Sequence, residues 1–211
     1  MQKNNYAAFT GQLTGPLMAD HVILGETFYT GIMRVMRLSG TFDSLKVTVP
    51  GKLLEAIDHE VIKHRVTMAG EIRSYIRAMP DGTGNHHLTL FVNNIEPALE
   101  EFETQNEVSL TGTICKQPTY RFTPFGREIS DAMLAVTRGF GKIDYIPIVT
   151  WGRNAKWTSK LNVGDYVTVH GRLQSREYEK LLDDGTTLRR TVQELSVQTI
   201  ASVPAEMKVS V

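Results

Sequence analysis

The chain has 211 residues, with 23 Lys and Arg balanced by 23 Asp and Glu, 41% apolar residues and one cysteine. That length accommodates one large domain or two of about 100 residues, and no apolar run approaches the roughly 20 residues that a membrane span needs. Cys115 cannot join an intramolecular disulfide framework, and Met1 to Asn5 lacks the apolar core of a secretory signal, so a soluble, cytoplasmic chain without a membrane partner is expected.

In chain order, the first signal is a repeat. Met33 to Ser74 can be laid on Leu134 to Ser175 without a gap at an offset of 101. Arg37 meets Arg138, Gly40 meets Gly141, Asp43 meets Asp144, Gly70 meets Gly171 and Ser74 meets Ser175. A Leu-Thr-Gly tripeptide opens both halves, at Leu13 to Gly15 and at Leu110 to Gly112. Within the first copy, Leu53 to Asp58 reads as a short helix and Asp81-Gly82 as a hairpin turn. Pro97 to Asn106 is polar and acidic and reads as a linker, with room for a helical turn.

The second copy is clearer. Val108 to Cys115 alternates apolar and polar residues, Ile129 to Thr137 is rich in strand formers, and Tyr145 to Trp151 is β-branched and aromatic. Asn154 to Leu161 reads as a helical turn with Trp157 and Leu161 on one face, which assigns Trp157 to the core. A long alternating strand over Asp165 to Lys180, an Asp183-Asp184-Gly185 turn and a strand over Leu188 to Ile200 complete it. Three strands, a helix and two strands is the order of the five-stranded OB barrel. The fold expected is therefore all-β, with two tandem OB barrels, each carrying one short helix. The domains expected are 1–104 and 105–211, and the charge divides with them. The first half has 9 Lys and Arg against 12 Asp and Glu, and the second has 14 against 11, so only the second attracts phosphates on net charge.

The run Asp144-Tyr-Ile-Pro-Ile-Val-Thr-Trp-Gly-Arg-Asn-Ala-Lys156, followed by Leu161-Asn-Val-Gly-Asp-Tyr-Val-Thr-Val-His-Gly-Arg-Leu-Gln-Ser-Arg-Glu-Tyr178, resembles bacterial single-stranded-DNA-binding proteins. Asn106 to Gly112 and Pro118 match that family's opening strand, so the likeness covers nearly the whole second half. The resemblance implies non-sequence-specific binding of single-stranded DNA in replication, recombination or repair, by a protein that is not an enzyme. In the family, bases stack on a few aromatics, and the matching positions here hold Phe140, Tyr145, Trp151 and Tyr178. Tyr145 and Trp151 are six residues apart on one strand and so point to one sheet face. The competing reading for these two is core packing, since strands are rich in aromatics. Arg138, Lys142, Arg153, Arg176 and Lys180 neighbour the platform or share its strands and are expected to track the phosphates.

Carried back by 101, the four platform positions fall on Ser39, Ser44, Pro50 and Arg77, none aromatic, although Phe42 and Tyr75 lie near them. The first barrel is thus expected to be a degenerate copy that serves assembly, a homodimer then supplying the family's usual four barrels. The family's flexible linker and acidic tip, which recruit replication and repair proteins, have no counterpart in Val203 to Val211. That favours the alternative of a primosome-type or mobile-element OB adaptor whose main role is docking proteins.

No enzyme chemistry assembles. His59 and His64 are spaced i, i+5 and miss the one-face geometry of a zinc helix. Gly139-Phe140-Gly141 lacks the third glycine and the helix of a dinucleotide site, and Cys115 sits in a strand as a small apolar residue. No catalytic residue, metal or cofactor is expected.

Overall fold

The computed structural model describes residues 4–57, 60–78, 84–98, 104–181 and 186–204. In the first half β1 (Asn5–Leu13), β2 (Met18–Ile23), β3 (Glu26–Met36) and β4 (Phe42–Pro50) lead to helix α1 (Gly51–Glu55) and a 3-10 turn, Val61–Lys63. β5 (Arg65–Ala78) and β6 (Gly84–Pro97) follow. In the second half β7 (Asn106–Phe122), β8 (Glu128–Arg138) and β9 (Lys142–Trp151) precede helix α2 (Arg153–Thr158), and β10 (Tyr166–Leu181) and β11 (Thr187–Ser202) close the chain. The hairpin turns expected at Asp81-Gly82 and Asp183 to Gly185, the helical turn expected in the linker, and His59 lie wholly or largely outside the described residues.

Each half closes in the same way. β4 pairs in parallel with β6 through Val47 and Leu90, and β9 pairs in parallel with β11 through Ile148 and Leu195. Inward residues of the alternating strands fill each barrel: Phe9, Met33, Leu45, Met68 and Leu90 in one, Leu110, Ile114, Leu134, Ile146 and Leu195 in the other, all fully buried. Trp157 packs against this core beside Leu161, as its spacing predicted. The halves differ in their first strand. Gly15-Pro16 interrupts it between β1 and β2, whereas β7 runs on through Pro118 and absorbs the bend in register shifts between Ile114 and Thr119.

The offset of 101 reaches back into the first strands and corrects one expected pairing. The counterpart of Gly112 is Gly11, not Gly15. A Cβ on Gly11 would meet the Arg34 carbonyl oxygen at 2.2 Å, and one on Gly112 would meet that of Ala135 at 2.4 Å, whereas one on Gly15 would touch nothing. Both glycines let a neighbouring strand approach too closely for any side chain. After the terminal hairpins the offset becomes 105, since Ser74 pairs with Leu88 and Ser175 with Gln193.

β1 and β7 pair antiparallel, Asn5 with Leu110 through Phe9 with Asn106, and so join both barrels into one eleven-stranded sheet. The bonds along this seam are duplicated at the same offset. Asn5 clasps the backbone of Ile72 through both its amide atoms, at 2.8 and 2.9 Å, and Asn106 clasps Leu173 at 2.7 and 2.9 Å. Asp43 of the first barrel accepts the Ser175 N–H of the second at 2.8 Å, and Asp144 of the second accepts the Ser74 N–H of the first at 2.7 Å.

These two buried aspartates are not equally served. Arg37 bonds both carboxylate oxygens of Asp43, which holds the Arg37 guanidinium even higher than usual, and Arg172 reaches the same carboxylate at 3.5 Å. The counterpart of Arg172 is Glu71, which pairs with Arg73 instead. Asp144 has Arg138 at 3.5 Å, and its Oδ2 takes no hydrogen bond.

Candidate nucleic-acid interface

β9 alternates as its sequence predicts. Asp144, Ile146, Ile148 and Thr150 turn inward, while Tyr145 and Trp151 turn out, 46% and 40% exposed. That exposure removes the core-packing reading for both. β8 lies alongside in register, setting Ala135 beside Tyr145, Met133 beside Pro147 and Ile129 beside Trp151. The outer face between the two rings is therefore small or apolar, apart from Asp131, which Arg121 neutralises at 2.6 Å. Phe140 stands at the tip of the β8–β9 hairpin, fully exposed, in the left-handed region at φ +63°. Only Gly139 and Gly141 flank it, so nothing covers either face of the ring. Tyr178 and Lys180 lie on β10 opposite Arg190 and Leu188, but their side chains lie outside the described residues.

The cations divide into two groups. Lys142 and Arg153 are exposed, Lys142 beside Arg138 at the base of the Phe140 hairpin and Arg153 two residues after Trp151. Arg176 is also exposed, 3.9 Å from Glu194. Arg138 is three-quarters buried against Asp144, so its charge is engaged in the seam. Lys156 is bound to Glu128 at 2.9 Å, which raises the ammonium pKa and lowers that of the carboxyl.

Two further aromatics went unnoticed in the sequence. Phe122 and Phe125 stand exposed at the β7–β8 hairpin, near the Trp151 end of β9; Phe122 pairs with Glu128 and packs on Tyr120, so strand parity turns it to the opposite side from Arg121, Ile129 and Trp151. The signal was there in Phe122-Thr-Pro-Phe-Gly126, whose turn residues leave both rings nowhere to be buried.

The Cys115 thiol donates to the Met133 carbonyl at 3.4 Å, and burial pushes its pKa up, away from a reactive thiolate. Among the described residues no group of three or more His, Cys, Asp or Glu could hold a metal, and no helix is long and apolar enough to cross a membrane.

Two linked OB barrels, one with an outward aromatic face, define the class. Wild-type single-stranded DNA binding protein from Thermus aquaticus shares the fold at a TM-score of 0.73 and 20% identity, over 95% of this chain and 93% of that one. The Single-strand binding protein family matches residues 105–203. A single-stranded DNA-binding protein of Clostridium tetani is 39% identical over 97 residues, 43% of this chain and 64% of its own length. Single-stranded DNA-binding protein 3 of Clostridium acetobutylicum is 38% identical over 102 residues, 45% of this chain and 68% of its own. Single-stranded DNA-binding protein A of Bacillus subtilis is 40% identical over 81 residues but is covered over only 47% of its length. The chain belongs to the single-strand binding protein family.

Proposed function

We propose that this chain binds single-stranded DNA without sequence preference, as a non-catalytic component of DNA replication, recombination or repair. One observation carries the reading: Phe140, Tyr145 and Trp151 present uncovered ring surface from one hairpin, with Lys142 and Arg153 beside them and Arg176 on the neighbouring barrel wall. Every base has a π-face, so such a platform accepts any sequence at about 1–3 kcal/mol per stacked base. Tyr178 and Lys180 belong to the proposed surface through their strand. Arg138 belongs to it as a strut that fixes the base of the hairpin.

Two chains pairing would supply four barrels, and we propose a homodimer of twice 23.6 kDa. The adaptor reading, in which protein docking dominates, is favoured by β2. This edge strand is exposed throughout, with Met18, Val22 and Ile23 uncovered.

Titration with oligo-dT tests the function. Base stacking on Trp151 quenches its fluorescence, and log affinity falls with log salt at a slope of about −0.7 per phosphate neutralised. A full-length protein that neither quenches nor shifts oligo-dT at low salt overturns DNA binding and leaves the adaptor reading. Sedimentation at the mass of a single chain overturns the homodimer.

A further inference from the structure

Tyr145 lies opposite Ala135 of β8, but its N–H donates at 2.9 Å to the hydroxyl of Ser74, on β5 of the first barrel. A residue in an antiparallel pair exchanges both main-chain bonds with its opposite or neither. Ala135 and Tyr145 are therefore a pair of the second kind, and the Tyr145 carbonyl also faces the first barrel. His86 of β6 takes it. The His86 ring hydrogen-bonds the Tyr145 backbone, whose N–H is already committed, and its buried Nε2 has no partner among the described residues, so Nδ1 donates to the carbonyl. The Ser74 N–H secures the preceding residue by donating to Asp144 at 2.7 Å. Across the hairpin, the Thr137 carbonyl accepts from Asn4 Nδ2 at 2.6 Å.

The repeat shows the same grip in the opposite direction. The Ser44 N–H donates to the Ser175 hydroxyl at 2.9 Å, and the Ser44 carbonyl accepts from Gln193 Nε2 at 3.1 Å. A glutamine thus does for Ser44 what His86 does for Tyr145. Two differences set the second barrel's hairpin apart. The residue held there carries an outward ring, and the third grip is not repeated, since Gln105, the counterpart of Asn4, donates to Glu107 at 3.2 Å. Trp151, at the far end of β9, is placed within its own barrel, opposite Ile129 and next to Gly152, whose N–H donates to the Glu128 carbonyl at 3.0 Å.

A binding side chain works when the bonds behind it hold it to about 0.5 Å of its productive place. Both main-chain groups of Tyr145 find their partners on the first barrel, so the attitude of this ring is set across the seam. Removing either partner leaves a polar group unpaired and lets the main chain shift to satisfy it. The ring moves with it.

We infer that Ser74 and His86 of the first barrel are positioning residues for single-stranded-DNA binding by the second, acting through the main chain of Tyr145. The inference rests on the proposed function and deepens it, because it gives the first barrel a part in DNA binding that needs no DNA contact of its own. Asn4 serves the same end by holding the other strand of the hairpin at Thr137.

The test is a double-variant cycle on the full chain, read by oligo-dT affinity. His86→Leu and Ser74→Ala should each weaken binding by about threefold or more, without exceeding the loss for Tyr145→Ala, roughly 5- to 150-fold. In a Tyr145→Ala background both should lose their effect, because the ring they orient is gone. His86→Gln supplies the donor that Gln193 supplies to Ser44 and should restore binding to within about twofold of the wild type. The salt slope and the maximal quenching through Trp151 should stay unchanged in every variant, since no phosphate contact is removed. If His86→Leu unfolds the chain, seen as a loss of its circular-dichroism transition, Ser74→Ala carries the cycle, with Ser74→Thr as the rescue that keeps the hydroxyl. Single variants that bind like the wild type, a loss that persists in the Tyr145→Ala background, or a His86→Gln as weak as His86→Leu overturns the positioning role and leaves the proposed function standing. A wild type that binds no dT at all overturns both.

Discussion

Phe140 contributes no burial and holds a strained backbone, so stability and DNA binding should part company there. Its φ of +63° costs a non-glycine residue about 1–2 kcal/mol, and its ring, being fully exposed, recovers none of this through packing. Glycine in its place removes the strain but adds about 0.5–1 kcal/mol of unfolded-state entropy. Phe140→Gly should therefore leave stability unchanged or raise it by up to about 1.5 kcal/mol, a Tm increase of roughly 0–6 °C for a chain of this size. Losing one stacked base should meanwhile weaken oligo-dT binding by about 1–3 kcal/mol, or roughly 5- to 150-fold. Phe140→Ala separates the two effects, since alanine keeps the strained φ and loses the ring. It should bind as weakly as the glycine variant without the gain in Tm. Thermal unfolding by circular dichroism and fluorescence titration with oligo-dT measure both quantities on one preparation. A fall of several degrees for Phe140→Gly, or unchanged affinity, would refute the assignment of this ring to the platform.

Asp43→Asn should destabilise by about 3 kcal/mol, because it strips a buried carboxylate from Arg37 and Arg172, whereas Asp144→Asn should cost less, about 1–2 kcal/mol, because its Oδ2 loses only the 3.5 Å ion pair with Arg138 and no hydrogen bond. Chemical denaturation of both variants checks the order, and equal losses would contradict it. Gly112→Ala should cost about 1–3 kcal/mol or more, its Cβ arriving 2.4 Å from the Ala135 oxygen, while Gly15→Ala should change the Tm little. Burial of the His86 ring lowers its pKa, outweighing a hydrogen bond to the Tyr145 backbone and the nearby charge of Asp144. The unfolded chain then binds more protons just below the ordinary histidine value of about 6.5, so stability should fall as pH drops through that range and level off below the lowered pKa. His86→Gln should flatten this slope in a Tm series between about pH 8 and pH 5, and an unchanged slope would assign it to other groups.

Barrel order, the short helices and the outward turn of the two β9 rings were legible because each depends on neighbours in the chain. The spacing of Tyr145 and Trp151 fixes a common face whatever the fold around it. Asp43 and Asp144 stood out only as a matched pair in the repeat. Their partners, Ser175 and Ser74, lie 132 and 70 residues away, and no local pattern announces a contact of that range. The same limit hid the commitment of Arg138 to a buried carboxylate, which made it look like a surface cation. Leu13 to Gly15 misled because a three-residue identity weighs the same in any register, whereas the close approach that demands Gly11 is a property of the neighbouring strand. Phe42 and Tyr75 were visible as rings near the platform positions. Their pairing with the Arg34 and Lys46 cations needed β3, β4 and β5 to be brought side by side.

The β1–β7 pairing has a consequence for how the two barrels can vary. Two identical subunits meeting across this seam would have to carry the same residue at both ends of it, since a two-fold axis copies every contact. Within one chain that obligation lapses, and Arg172 can face one aspartate while Glu71 occupies the matching place near the other. The tether also holds the pair together at any dilution, because the partner's effective concentration is set by the linker and not by the solution. Each barrel is thereby free to specialise without the risk of losing its mate.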